Sequence, residues 1–149
     1  MWRLASERED QVVLDLCLGL YKEDPSDRPV LREGILNTFK ELRQSPIRGR
    51  CVVFERDHQI LGYALLASFW SNELAGEICI VDELFVRKEA RGAGIASELF
   101  KEIMSNRSVW PHLPVAIELE VTPKNEHAMK LYKNLGFKPK KNGSMRLEG

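Results

Sequence analysis

The sequence has no excess of charge of either sign: 22 Lys and Arg balance 22 Asp and Glu. Such a chain offers no electrostatic footprint for nucleic acid, and no nucleic-acid partner is expected. It has no apolar run of membrane-spanning length and no signal-peptide core at its start, so no membrane partner is expected either. Cysteine is scarce, with three residues in the chain. Cys17, Cys51 and Cys79 are scattered in apolar company without metal-ligand spacing, and their odd number argues against a disulfide framework. They fit a reducing, cytoplasmic setting. Repeats and low-complexity segments are also missing. The 149 residues are enough for one packed domain, and 1–149 is read as a single unit. His58 falls in a turn, His112 in a Pro-flanked loop and His127 in the first turn of a helix. None has a partner at metal or triad spacing, so all three read as surface residues and no metal is expected.

What is present centres on one stretch. Ile78 to Val86 is almost wholly apolar, rich in β-branched and aromatic residues, and reads as a buried strand. Arg91-Gly-Ala-Gly-Ile-Ala96 follows as a turn. Ile95, Leu99 and Ile103 then repeat at helical spacing, with Phe100 and Met104 widening the stripe, to about Arg107. Gly92 and Gly94 open that helix with no side chain to keep a ligand from its unpaired N–H groups, which together with the helix dipole suit a phosphate. The same glycines also suit a tight turn made for packing. The pattern is not a dinucleotide fingerprint, since the third glycine is missing and it comes too late in the chain. It also lacks the Gly-Lys-Ser/Thr of a P-loop.

The remaining elements follow from capping and periodicity. Trp2 to Ala5 suits a short strand. Ser6 and Glu9 form a capping box ahead of a helix that carries Val12, Val13, Leu16, Cys17 and Leu20 on one face and ends before Tyr21. Ser26 or Asp27 is expected to cap a second helix with Pro29 in its first turn. Its buried face is Leu31, Ile35, Phe39 and Leu42, and Ser45-Pro46 stops it. Cys51–Phe54 and Ile60–Phe69 read as a hairpin. Val115–Val121 alternates as a strand, parallel to the central one because a helix joins them. Asn125 can cap a last helix that Gly136 ends. Phe137–Pro139 and Ser144–Leu147 suggest a closing hairpin through Asn142-Gly143. The expected order is β-α-α-β-β-β-α-β-α-β-β, an α/β fold with a mixed sheet.

Asp82 and Glu83 are two carboxylates inside an apolar strand. Burial raises a carboxylic acid's pKa and makes it a better base near neutral pH. The competing reading is a structural ion pair or helix cap. Because adjacent strand residues face opposite sides, at most one should face a given cleft.

Arg91, Gly94 and Ala96 match the pattern Arg-x-x-Gly-x-Ala. Together with Val-Asp-Glu-Leu-Phe-Val86 just before it, this resembles the acyl-CoA pyrophosphate loop of the GNAT superfamily of N-acetyltransferases. Asn125-Glu-His-Ala-Met-Lys-Leu-Tyr-Lys-Asn-Leu-Gly-Phe137 is similar to that family's Asn-x-x-Ala-x-x-x-Tyr-x-x-x-Gly-Phe signature. The two blocks span roughly the C-terminal half, and the N-terminal half resembles the family only in element order. The resemblance implies a mostly antiparallel mixed sheet whose two central parallel strands splay apart around acetyl-CoA, the cosubstrate. It implies that Arg91, Gly92, Ala93, Gly94, Ile95 and Ala96 hold the pyrophosphate. Leu84, Phe85, Val86 and Asn125 would meet the pantetheine arm. It implies that Asp82 or Glu83 is the base and Tyr132 the acid for the departing thiolate, without choosing between the carboxylates. It further implies transfer to a primary amine by direct attack in a ternary complex, with no acyl-cysteine. A homodimer is open. Trp70, Glu23, Asp24 and Asp27 would border the acceptor, and acidic loops there suit a small cationic amine. The alternative is a non-catalytic module that binds acyl-CoA as sensor or scaffold.

Overall fold

A computed structural model of the chain describes residues 1–105 and 108–149. In chain order the elements are β1 (Trp2–Leu4), α1 (Asp10–Glu23), α2 (Arg32–Gln44), β2 (Gly49–Arg56), β3 (Gln59–Ser71), β4 (Gly76–Val86), α3 (Ile95–Ser105), β5 (Ala116–Leu119) and α4 (Glu126–Asn134). The sheet runs β1-β2-β3-β4-β5, antiparallel except for the parallel pair β4–β5. Among the described residues no helix is long and apolar enough to cross a membrane. The expected extension of α3 to Arg107 lies outside the described residues.

Strand alternation divides the core in two. Val52, Phe54, Ala64 and Leu66 pack with Leu99, Phe100 and Ile103 of α3 on one face. Val53, Tyr63 and Leu65 pack with Val13, Leu14, Leu16 and Cys17 of α1 and with Ile35 and Phe39 of α2 on the other. Trp2 ties the first strand to the site region. Its buried indole N–H donates to the Ile95 carbonyl at 2.9 Å, which fixes the start of α3. Ser6 behaves as expected, since its N–H donates to the Glu9 carboxylate at 2.7 Å.

Several expectations need correction. α1 runs to Glu23, three residues beyond Leu20, so Tyr21 is helical. Val12 faces solvent, and Leu14 takes its place in the core. α2 starts at Arg32. Ser26 instead serves a local turn, its hydroxyl bonding the Arg28 backbone, and Leu31 is exposed at the helix boundary. Met104 is exposed on α3. Val115–Val121 contracts to Ala116–Leu119. The closing hairpin does not form, and 138–149 carries no strand. Met145 and Leu147 are almost fully exposed. A lone hairpin with no core face to bury cannot offset its own ordering entropy.

Candidate active site

β4 pairs with β5 only from Ile78–Ala116 to Val81–Leu119. Beyond Val81 its β5-facing edge has no strand partner, and the two strands part. The register against β3 shows why. Val81 stands opposite Leu66 and Glu83 opposite Leu65, so Asp82 is an extra, unpaired residue. A β-bulge of this kind bends and twists the strand that carries it, and it sits where pairing with β5 ends.

The bulge also changes the strand's phase. Cys79 and Val81 pack on the α3 face, but after it the even-numbered Leu84 and Val86 do so, while Phe85 packs on the α1 face. Alternation fails at the bulge, so it no longer fixes the face of Asp82 relative to Glu83, which meets Tyr21 and Tyr63 on the α1 face. Both carboxylates act on one α1 phenol. Tyr21 donates its hydroxyl to Glu83 and also feels the charge of Asp82. The second Glu83 oxygen accepts the Tyr63 hydroxyl at 2.6 Å. Burial is the main cause that pushes both phenols well above their ordinary range, with the Glu83 carboxylate adding to it. Asp82 makes no hydrogen bond or ion pair among the described residues. Loss of hydration, and then the Glu120 charge, push its carboxyl above the ordinary value. The residue is nonetheless exposed, as expected of a group at the mouth of a fork.

Next along the chain, Gly92 and Gly94 adopt φ of 79° and 77°. That region disfavours any side chain, and the space beyond both Cα atoms is open. Among the described residues the N–H groups of Gly92, Ala93, Gly94, Ile95 and Ala96 have no backbone carbonyl partner. The first α3 bond runs from Glu98 N–H to Gly94 O at 2.9 Å. A row of unpaired donors at a helix N-terminus fits a diphosphate. Arg91 bonds the Val86 carbonyl through Nε at 2.8 Å and grips both Glu23 oxygens through Nη2 at 3.0 and 2.8 Å. Its guanidinium also lies 5.3 Å from the Phe85 ring centre.

The C-terminal end of α1 thus spans the fork. Tyr21 reaches β4, Glu23 reaches the glycine turn, and Asp24 accepts the Thr122 hydroxyl at 2.8 Å beyond β5. Tyr132 lies on the opposite face, edge-on to Phe100 and Phe137 at centroid distances of 6.1 and 5.8 Å. Its hydroxyl makes no hydrogen bond among the described residues, and burial raises its pKa. Asn125 caps α4 by accepting the Ala128 N–H at 3.1 Å. Gly136 follows the helix at φ 96°. His58, His112 and His127 are exposed. Burial pushes the Cys17 and Cys79 thiols up to about 12, so neither is an activated nucleophile. Trp70, near the end of β3, and Asp27 are exposed.

Sequence reading misses Tyr21 and Tyr63. Tyr21 falls four residues after Cys17 on the same helical face, a signal hidden by ending the helix at Leu20.

The sequence model of the acetyltransferase (GNAT) family matches residues 16–137. The chain belongs to that family. Among curated proteins, none matches this GNAT chain in sequence. Solved structures share its fold. A possible acetyltransferase from Clostridium difficile 630 has 20% identity and a TM-score of 0.82, covering 100% of this chain and 97% of its own. An aminoglycoside N-acetyltransferase in complex with CoA has 16% identity and a TM-score of 0.76, with coverages of 99% and 93%. A ribosomal-protein-alanine N-acetyltransferase from Brucella melitensis biovar Abortus 2308 has 15% identity and a TM-score of 0.74, with coverages of 100% and 99%. The mixed five-stranded sheet with its parallel β4–β5 pair is the GNAT fold.

Proposed function

We propose that this GNAT chain, as one domain over 1–149, transfers an acetyl group from acetyl-CoA to a small primary amine in a ternary complex. The observation that carries the reading is the β4–β5 fork, with unpaired N–H donors at one end and carboxylates at its apex. Acetyl-CoA supplies an acyl group activated as a thioester. The N–H groups of Gly92 to Ala96 take the pyrophosphate, and Arg91 exchanges Glu23 for phosphate, since both are bidentate acceptors for a guanidinium. The freed edge of Leu84, Phe85 and Val86 pairs the pantetheine amides like an added strand, helped by Asn125. A β4 N–H near Val86 steadies the oxyanion.

Glu83 lies on the α1 face, with Asp82 next to it at the bulge, and Tyr132 lies on the α3 face. An amine entering from the first side and a thiolate leaving on the second would each find the group it needs. The amine's proton goes to the carboxylate pair. Tyr132, kept protonated by burial, hydrogen-bonds the leaving sulfur. Holding both reactants in the fork makes the attack effectively intramolecular. Asp82, Glu120 and Asp24 give the acceptor side a negative field that suits a cationic amine.

The test is release of free thiol from acetyl-CoA with a panel of polyamines, amino acids, aminoglycosides and peptide N-termini. Amine-dependent release is expected. Tight CoA binding with no release for any amine would instead assign the chain to a non-catalytic acyl-CoA-binding role.

A further inference from the structure

We propose that Tyr21 is a catalytic residue whose hydroxyl carries the acceptor amine's proton to Glu83. The inference rests on the acetyltransferase reading and deepens it. Both Glu83 oxygens are already engaged by phenols, one by Tyr21 and the other by Tyr63 at 2.6 Å. Tyr63 is completely buried, at 0% exposure, so no substrate reaches Glu83 from that side. Tyr21 is only half-buried. It belongs to the last turn of α1, whose next residues reach Arg91 on one wall of the fork and Thr122 on the other. Glu83 and Tyr21 are both half-buried, so the open approach to Glu83 is the side that the Tyr21 oxygen occupies. A phenol that donates its proton still has lone pairs to accept an N–H.

The titratable groups facing this pair are Cys17 from α1, Tyr63 from β3 and Asp82 from β4. Among the described residues, no lysine or arginine forms an ion pair with Glu83. With its anionic neighbours and desolvation, Tyr21 is a poor place to leave a negative charge, so the relay must move two protons together. As the amine nitrogen bonds the acetyl carbon, one N–H bond breaks and its proton joins the Tyr21 oxygen. The Tyr21 O–H bond breaks and that proton joins Glu83. The C–S bond breaks when the tetrahedral centre collapses, and its electron pair leaves on sulfur. Tyr21 ends neutral and Glu83 ends as the acid, so the charge that Glu83 loses reappears on the thiolate.

The experiment compares the full-length parent, Tyr21→Phe, Glu83→Gln and the double variant, using acetyl-CoA and the panel amine that the parent acetylates fastest. Tyr21→Phe keeps the ring that packs and removes the relay atom. Its kcat should fall by about 10²-fold, while CoA affinity measured by calorimetry stays at the parent value. Its residual rate should climb with pH more steeply than the parent's, because hydroxide then takes the proton that the missing phenol would have relayed from the attacking neutral amine. Glu83→Gln should lose a similar factor, and the double variant no more than either single change, as for residues that act as one unit. Additive losses, or parent-like kcat and pH dependence in Tyr21→Phe, would overturn the relay alone. A parent that binds CoA but acetylates no amine would overturn the relay and the transferase reading together.

Discussion

Two acidic regions of this chain look alike as sequence and differ as chemistry. Near the N-terminus, Glu9 is surrounded by donors: Arg3 at 2.5 and 3.1 Å, the Ser6 N–H at 2.7 Å and the Ser6 hydroxyl at 2.9 Å. Arg3 also holds Glu55 at 2.7 Å. The Arg3 hydrogen bond, assisted by Ser6, lowers the Glu9 pKa to about 2 despite burial. At the fork, Asp82 has neither cation nor donor among the described residues, and burial with the Glu120 charge raises its pKa. The first carboxylate ties β1 to the α1 entry, and Arg3 carries the link on to Glu55 of β2. The second is left unneutralised where two strands part. Glu9 is buried with its partners supplied and serves the architecture, while Asp82 is exposed and has none among the described residues.

The comparison can be broken most severely at the glycine turn, which provides donors without acceptors. Gly94→Glu forces a side chain into φ 77° and sets a carboxylate against the free N–H groups. CoA affinity by calorimetry should fall about 10²-fold or more, with circular dichroism unchanged. Parent-like affinity would remove the pyrophosphate site. Tyr132→Phe comes next. It should keep CoA affinity and lower kcat by about 10²-fold, and an unchanged kcat in steady-state assays would leave the thiolate to solvent.

Glu9→Gln tests the structural side. It removes a charge-assisted network from a nearly buried position and should cost about 2 kcal/mol at neutral pH. Because the folded pKa lies below the ordinary 4.5, this stability is present above 4.5 and lost as pH falls toward about 2. Denaturation curves for parent and variant should therefore converge in acid. The smallest effect has the opposite sign. Asp82 has a folded pKa raised above its ordinary 3.8, so its ionisation works against the fold as pH rises. Asp82→Asn should raise Tm slightly at pH 7, with the gain fading as pH falls toward 3.8 and absent below it. A variant less stable than the parent at pH 7 would show that Asp82 has a structural partner after all.

Much of the fold is legible in the amino-acid sequence. The β4-turn-α3 unit, the Ser6–Glu9 box, the Asn125 cap and the Gly136 stop are visible there because each depends on residues within about one or two helical turns of each other. The misplaced elements are those whose limits depend on distant partners. α1 continues through Tyr21, whose hydroxyl finds its acceptor, Glu83, on β4. Val115–Val121 shortens because β4 turns away at Asp82. Residues 138–149 form no hairpin because no core face receives them. The candidate residues are legible by type, but their contacts are not.

Local chemistry is enough to place the phosphate-compatible turn, since only glycine readily tolerates the backbone of Gly92 and Gly94, and to single out Asp82, Glu83, Arg91 and Tyr132 as candidates. How those groups are shared out is a matter of tertiary packing alone. One extra residue in the β3–β4 register resets the phase of β4, with Glu83 meeting Tyr21 just after it, and sits where pairing with β5 ends. A period-two reading of a single strand contains no information about its partner's register, so neither the bulge nor the face each acid occupies can be found in it.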